Sequence, residues 1–220
     1  MKQMMNFKVF IGYSSEDNDK AQYIYNCLAR IVEITPYKAE LYKVYGEDFK
    51  QRIQNELFSS QFMVVLLTEN GKNSQWVNQE IGFAYGLRFQ RHKERTPIII
   101  PVSYKQVQLK GLITKDTTDF LNIDDWNSFE WIVANIILTI RRNIQKGLEE
   151  GVLHYHIDCP NCFNEKGLPY TYISKLPDNE TMVKASNLGN PIFRTKCPQC
   201  KKDVLVDIRT LLPFKPPTKT

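Results

Sequence analysis

No stretch of this 220-residue chain reaches the roughly 18–20 uninterrupted apolar residues that a membrane-spanning helix needs. The most apolar run, Trp131 to Ile140, is broken by Asn135 and Thr139 and then meets Arg141 and Arg142, so it reads as a buried or amphipathic helix. The opening residues MKQMMNFKVF lack the apolar stretch and small-residue cleavage site of a secretory leader, which predicts a cytosolic protein with reduced thiols. Charge of one sign is scarce too. The 29 Lys and Arg against 24 Asp and Glu leave +5, too little to argue nucleic-acid binding by charge alone. There is no internal repeat and no strong compositional bias, which leaves an ordinary globular chain of one domain plus a small appendage.

What is present alternates. Lys8 to Tyr13 is an apolar run closed by the polar turn Ser14-Ser15-Glu16-Asp17. A helical pattern follows from Asp17 to about Glu33, with Ala21, Ile24, Leu28 and Ile31 on one side and Asp17 or Ser15 as its cap. A strand is expected near Ala39–Val44, a turn at Tyr45-Gly46 and a helix from about Asp48 to Ser60. Phe62 to Thr68 is a continuous β-prone run suited to a strand buried on both faces. Residues 74–90 are helical in pattern, Pro97–Val102 is another buried strand, 119–123 a weaker one, and the last long helix spans about Trp126 to Glu149. Strands of this kind alternating with helices argue for an α/β fold, a central parallel sheet covered on both faces. Ligands of such sheets bind beyond the carboxyl ends of the strands, which gathers Ser14–Asp17, Tyr45–Gly46 and Thr68–Trp76 around one crevice.

Cysteine is sparse and unevenly placed. Four of the five fall in Cys159-Pro-Asn-Cys162 and Cys197-Pro-Gln-Cys200, separated by the 34 residues 163–196. Two such knuckles supply four thiolates for one tetrahedral zinc, and a β-hairpin insertion would fill the long gap. Disulfides are disfavoured in a reducing compartment, and a redox C-x-x-C occurs once rather than as a matched pair. Four cysteines close the site to substrate, so the expected Zn²⁺ is structural, and it explains how a small unit could fold. The division read from the sequence is a domain over 1–150, a β-rich zinc ribbon over 151–212 and a flexible tail over 213–220. His154 and His156 read as strand residues, Cys27 as a core residue, and Lys196, Lys201 and Lys202 as a solvated surface.

Val9-Phe-Ile-Gly-Tyr-Ser-Ser-Glu-Asp17 resembles the first strand and loop of TIR domains. Ser60–Thr68 followed by Asn73–Ile81 is the stronger match, because Ser74-x-Trp76-Val77-x-x-Glu80 resembles the S/C-x-W-x-x-x-E signature of enzymatic TIR domains. The resemblance covers roughly residues 7–148, implies a flavodoxin-like TIR fold, and is similar in flavour to the TIR proteins of bacterial and archaeal defence systems. Gly12 departs from the small residue that many members carry before the aromatic. The resemblance implies an NAD⁺ glycohydrolase or cyclase with Glu80 as catalytic carboxylate and NAD⁺ as substrate, active on self-association. The other implied class is a non-catalytic adaptor whose ribbon adds a contact surface. Candidate substrate-binding residues are Tyr13, Ser14, Ser15, Tyr45, Gly46 and Trp76. For the first three, turn and cap chemistry is the competing account; Gly46 reads equally as a turn glycine, and Trp76 as a packing residue. A capping box would place the acid at Val77, so helix capping does not account for Glu80.

Overall fold

Alternate residues of strand β1 (Phe7–Gly12) enter two different cores, which is why the run Val9–Ile11 is apolar throughout. Val9 and Ile11 face one layer, Phe10 the other. Strand β3 (Phe62–Leu67) does the same, with Phe62, Val64 and Leu66 on one side and Met63, Val65 and Leu67 on the opposite side. The first layer holds helices α1 (Asn18–Leu28) and α5 (Glu130–Gln145). The second holds α2 (Phe49–Ser59) and α4 (Gln75–Leu87), the latter preceded by the short α3 (Glu69–Asn73). With β2 (Ile34–Lys38), β4 (Ile98–Ser103) and β5 (Leu121–Asn122), the strands form one parallel sheet in the order β2-β1-β3-β4-β5. This is the flavodoxin-like doubly wound arrangement. The computed structural model describes residues 6–38, 49–87, 97–104, 106–108, 121–122, 129–145 and 153–214. Among these, no helix is long and apolar enough to cross a membrane.

Two expectations about the second strand are corrected. Helix α1 stops at Leu28, not Glu33, and β2 begins at Ile34, ahead of the span 39–44, which lies outside the described residues. The helical spacing of Ile31 misled because Ile31 is buried for another reason: it bridges to Tyr155 of the C-terminal segment. Pro36 is accommodated because β2 is an edge strand, paired on one side to β1.

The C-terminal segment opens with β6 (His154–Phe163) and β7 (Pro169–Lys175), an antiparallel pair whose register is interrupted between Cys159 and Phe163, at the first knuckle. Helix α6 (Asn179–Asn187) follows, its first turn capped by Asp178, which accepts from the Thr181 N–H at 2.8 Å. Strands β8 (Ile192–Lys196), β9 (Asp203–Asp207) and β10 (Leu212–Pro213) complete a second antiparallel sheet. The insertion between the knuckles is therefore strand, helix and strand, where a plain hairpin was expected. Pro213 and Phe214, expected to begin a loose tail, pair with β9, while 215–220 lie outside the described residues.

This segment shares a core with the α/β body. Tyr155, Ile157, Cys159, Val206 and Leu211 belong to the same buried cluster as Ile24, Leu28, Ile31 and Ile136. Backbone pairs Val32 N–H to His154 O and His156 N–H to Arg30 O, both 2.9 Å, fasten β6 to the α1–β2 turn. Glu33 adds its carboxylate to the His154 backbone N–H at 2.9 Å and to the His154 ring at 2.6 Å. Arg30 donates to the Leu211 carbonyl at 3.1 Å and pairs with Asp158 at 3.2 Å.

Candidate active site at the Glu80 cleft

Helix α4 is started by Ser74, whose Oγ accepts the Val77 N–H at 3.3 Å. Val77, Ile81 and Ala84 then fall on the face packed against the sheet, and Glu80, one residue before Ile81, is carried to the margin of that face. There it is only 5% exposed. It looks into a cleft of about 400 Å³, counting the space open to solvent, between Ile53, Gln54 and Leu57 of α2 and Trp76, Gln79 and Phe83 of α4. The walls are mostly apolar, and among the described residues that line it Glu80 alone is ionisable.

The Trp76 side chain hydrogen-bonds to the carboxyl group, but Oε2 is buried with no partner among the described residues. Burial pushes the acid up from its ordinary value of 4.5 to about 8, with the Trp76 bond working in the other direction. Oε2 lies over the backbone of Gly12 at the end of β1: a Cβ built there would come within 2.8 Å of it.

The structure separates the remaining sequence candidates. Tyr13 follows Gly12 and so, by the alternation of β1, turns to the opposite layer, where the Lys38 ammonium lies 5.5 Å from its ring centroid. Ser14 donates to Asp17 Oδ2 at 2.9 Å, and the same carboxylate accepts from Thr68 Oγ1 and from Lys20 Nζ at 2.7 Å. Asp17, expected as a helix cap, makes no side-chain cap bond and instead ties the β1 loop to the end of β3. Ser15 is exposed in the single 3₁₀ turn Ser15–Asp17. Tyr45 and Gly46 lie outside the described residues. Trp76 does line the cleft. Sequence reading missed Gln79 and Phe83, which helical spacing around Glu80 could have supplied, and the α2 residues, which no local pattern points to.

The second site is the cysteine cluster. Cys159, Cys162, Cys197 and Cys200 bring their sulfurs within 4.8 Å of one another, with Cys159 to Cys200 at 3.9 Å and Cys162 to Cys197 at 4.0 Å. The second knuckle closes through the Lys201 N–H to Cys197 carbonyl bond at 3.0 Å, with Lys201 in the left-handed region at φ 61°. Such a donor set can hold a metal ion.

A family model for the TIR domain matches residues 9–133, more than half of the chain. The chain belongs to the TIR domain family. The match takes in β1 from Val9 onward, the Asp17 network and the Glu80 cleft, and the four clustered cysteines lie beyond it. No curated relative matches this TIR protein. Among solved structures it is similar to the TIR domains of the activated Roq1 resistosome directly recognizing the pathogen effector XopQ, at 22% identity and a TM-score of 0.38. That similarity covers 46% of this chain and 58% of that one, so the TIR protein spans little more than half of it. A prokaryotic SEFIR domain is similar at 16% identity and a TM-score of 0.36, over 66% of this chain and 94% of that one.

Proposed function

We propose that this TIR protein cleaves the nicotinamide–ribose bond of NAD⁺, with Glu80 as catalytic carboxylate. The observation that carries the reading is the partnerless Oε2 of Glu80, buried in a mostly apolar cleft. A carboxyl group without a partner there is costly to ionise in the free protein and is suited to meet positive charge. The bond from ribose C1′ to the pyridinium nitrogen breaks with its electron pair going to nicotinamide, which leaves neutral and needs no general acid. Positive charge builds on the ribose as it does so, and a carboxylate held in a dry site stabilises that charge. Water then adds at C1′ and loses a proton to give ADP-ribose, or a nucleophilic atom of the same molecule closes the ring to give a cyclic isomer. Trp76 and Phe83 offer flat walls to the pyridinium, and the Gln54 and Gln79 amides offer hydrogen bonds to its carboxamide or to ribose hydroxyls.

In the same reading, the four cysteines bind one structural zinc. Zinc–sulfur bonds of about 2.3 Å place tetrahedral sulfurs roughly 3.8 Å apart, close to the 3.9 and 4.0 Å separations of the two sulfur pairs. With four thiolate ligands the ion has no open position, so it serves folding rather than catalysis. Self-association through the TIR domain and a place in prokaryotic defence signalling rest on the sequence resemblance.

The test is to incubate purified protein with NAD⁺ at low and at high protein concentration and separate the products, with Glu80→Gln alongside. Nicotinamide release by the parent alone is expected, rising more than in proportion to concentration if assembly activates the enzyme. The second product distinguishes hydrolase from cyclase. Absence of turnover by both proteins, even when concentrated, would replace this reading with a non-catalytic interaction module.

A further inference from the structure

Gly12 has no conformational reason to be glycine. Among the described residues the glycines with positive φ are Gly167 and Gly189, and Gly12 lies at the end of a regular strand. Its reason is space. An added Cβ would meet Glu80 Oε2 at 2.8 Å, Met63 Cε at 3.1 Å and Val65 Cγ2 at 3.6 Å. Gly71 makes the instructive contrast: a Cβ there would strike the Leu66 carbonyl oxygen at 2.0 Å, a backbone atom fixed in β3. At Gly12 the two closest atoms are the free ends of flexible side chains, which can yield. A methyl group at 12 is therefore accommodated by moving the carboxylate, not by breaking the sheet.

We propose that Gly12 is a positioning residue, keeping open the space in which the Glu80 carboxylate is held against the end of β1. The inference rests on the catalytic reading of Glu80 for its consequence in turnover, but the placement itself is a structural claim that can be read without turnover. A catalytic group displaced by about 1 Å can cost on the order of 100-fold in rate. Glu80 is carried on α4, so the β1 residue acts on it from another element, at a strand position whose added Cβ would meet the carboxyl group.

The experiment compares the full-length parent with Gly12→Ala, Glu80→Ala and the double variant. Three readouts are taken: thermal melting, the titration of the Glu80 carboxyl by carbon NMR with Glu80→Gln as the blank, and steady-state NAD⁺ cleavage. The expected result is a folded Gly12→Ala protein whose Glu80 titrates at lower pH than in the parent, because the displaced group is better solvated. Its kcat should fall about 10- to 100-fold, with a smaller change in KM. A moved titration with no NAD⁺ cleavage even in the parent upholds the positioning role and removes the catalytic reading. An unmoved titration together with unchanged kcat overturns the proposal. If Gly12→Ala alone fails to fold, the double variant decides: recovery in the Glu80→Ala background upholds the contact, and failure there overturns it.

Discussion

The guanidinium of Arg141, on α5, donates to the Pro177 carbonyl at 2.6 Å and to Asn179 Oδ1 at 3.0 Å, at the start of α6. Arg141 is buried, with Met182 Sδ 3.7 Å from the same nitrogen. A cation in that position is tolerable because the turn before α6 supplies its acceptors, and its pKa is lowered chiefly by burial, with the Asp178 charge acting against that. The contact ties α5 to the turn before α6.

Replacing Arg141 by Ala strips the Pro177 carbonyl of its charged donor and leaves space beside Met182. The expected loss is about 3 kcal/mol, read as a melting temperature roughly 6–12 °C lower for a chain of this size. Arg141→Met, which keeps the packing without the hydrogen bonds, should fall between. A full-chain melt of Arg141→Ala within about 1 °C of the parent would show that the clamp is idle.

Metal removal should reach beyond the cysteines. Structural zinc sites contribute roughly 10–16 kcal/mol to folding in small domains, and here Cys159 shares a buried cluster with Leu28 and Ile31 of the TIR domain. Chelation is expected to abolish the aromatic near-ultraviolet circular dichroism of the C-terminal segment and to lower the melting temperature of the whole chain. Added zinc should restore both. Metal analysis giving less than one ion per chain, with a melt indifferent to chelator, would count against a bound metal.

Asp17 is a latch with three partners: Ser14, Thr68 and Lys20. Thr68 in turn accepts the Gly71 N–H at 3.0 Å, so the loop after β1 and the start of α3 are held by one connected set. Asp17→Ala leaves two hydroxyls without their acceptor in a buried setting, at a cost of about 3 kcal/mol. Thermal melting measures it, and a loss below about 1 kcal/mol would mean that water replaces the carboxylate without penalty.

Glu80 predicts a pH dependence of definite sign. With the acid raised by burial from 4.5 to about 8, the folded protein keeps a proton that the unfolded chain releases between those values. Each step up in pH across that window therefore favours unfolding. Stability that is complete below the unfolded value is lost as pH rises through the folded one, by roughly 3–5 kcal/mol in all. Glu80→Gln should melt with the parent at pH 4, and well above it at pH 9. Coincident melts at both pH values would be incompatible with a buried acid. Turnover should rise with pH through the same window, and at saturating NAD⁺ the rise should shift to lower pH, because the cationic nicotinamide ring beside Glu80 favours the carboxylate.

Local patterns in the sequence determined the parallel sheet of the α/β body and the convergence of the four cysteines. The unbroken apolar runs Val9–Ile11 in β1 and Phe62–Leu67 in β3 required burial on both faces, the Ser74-x-Trp76-x-x-x-Glu80 spacing placed an acid near an aromatic on one helix, and the paired knuckles implied four converging thiolates. Even the separation of Tyr13 from Glu80 is latent there, since consecutive strand residues must face opposite ways. Tertiary structure decided the rest. Periodicity reports that a side chain is buried but not what buries it, so Ile31 resembled a helix residue while bridging to Tyr155. The α2 wall of the cleft, the clamp of Arg141 on Pro177 and the reach of Glu80 Oε2 to Gly12 are contacts between distant segments. Each is set by how the layers pack across the sheet, a relation between surfaces that spacing along the chain does not encode.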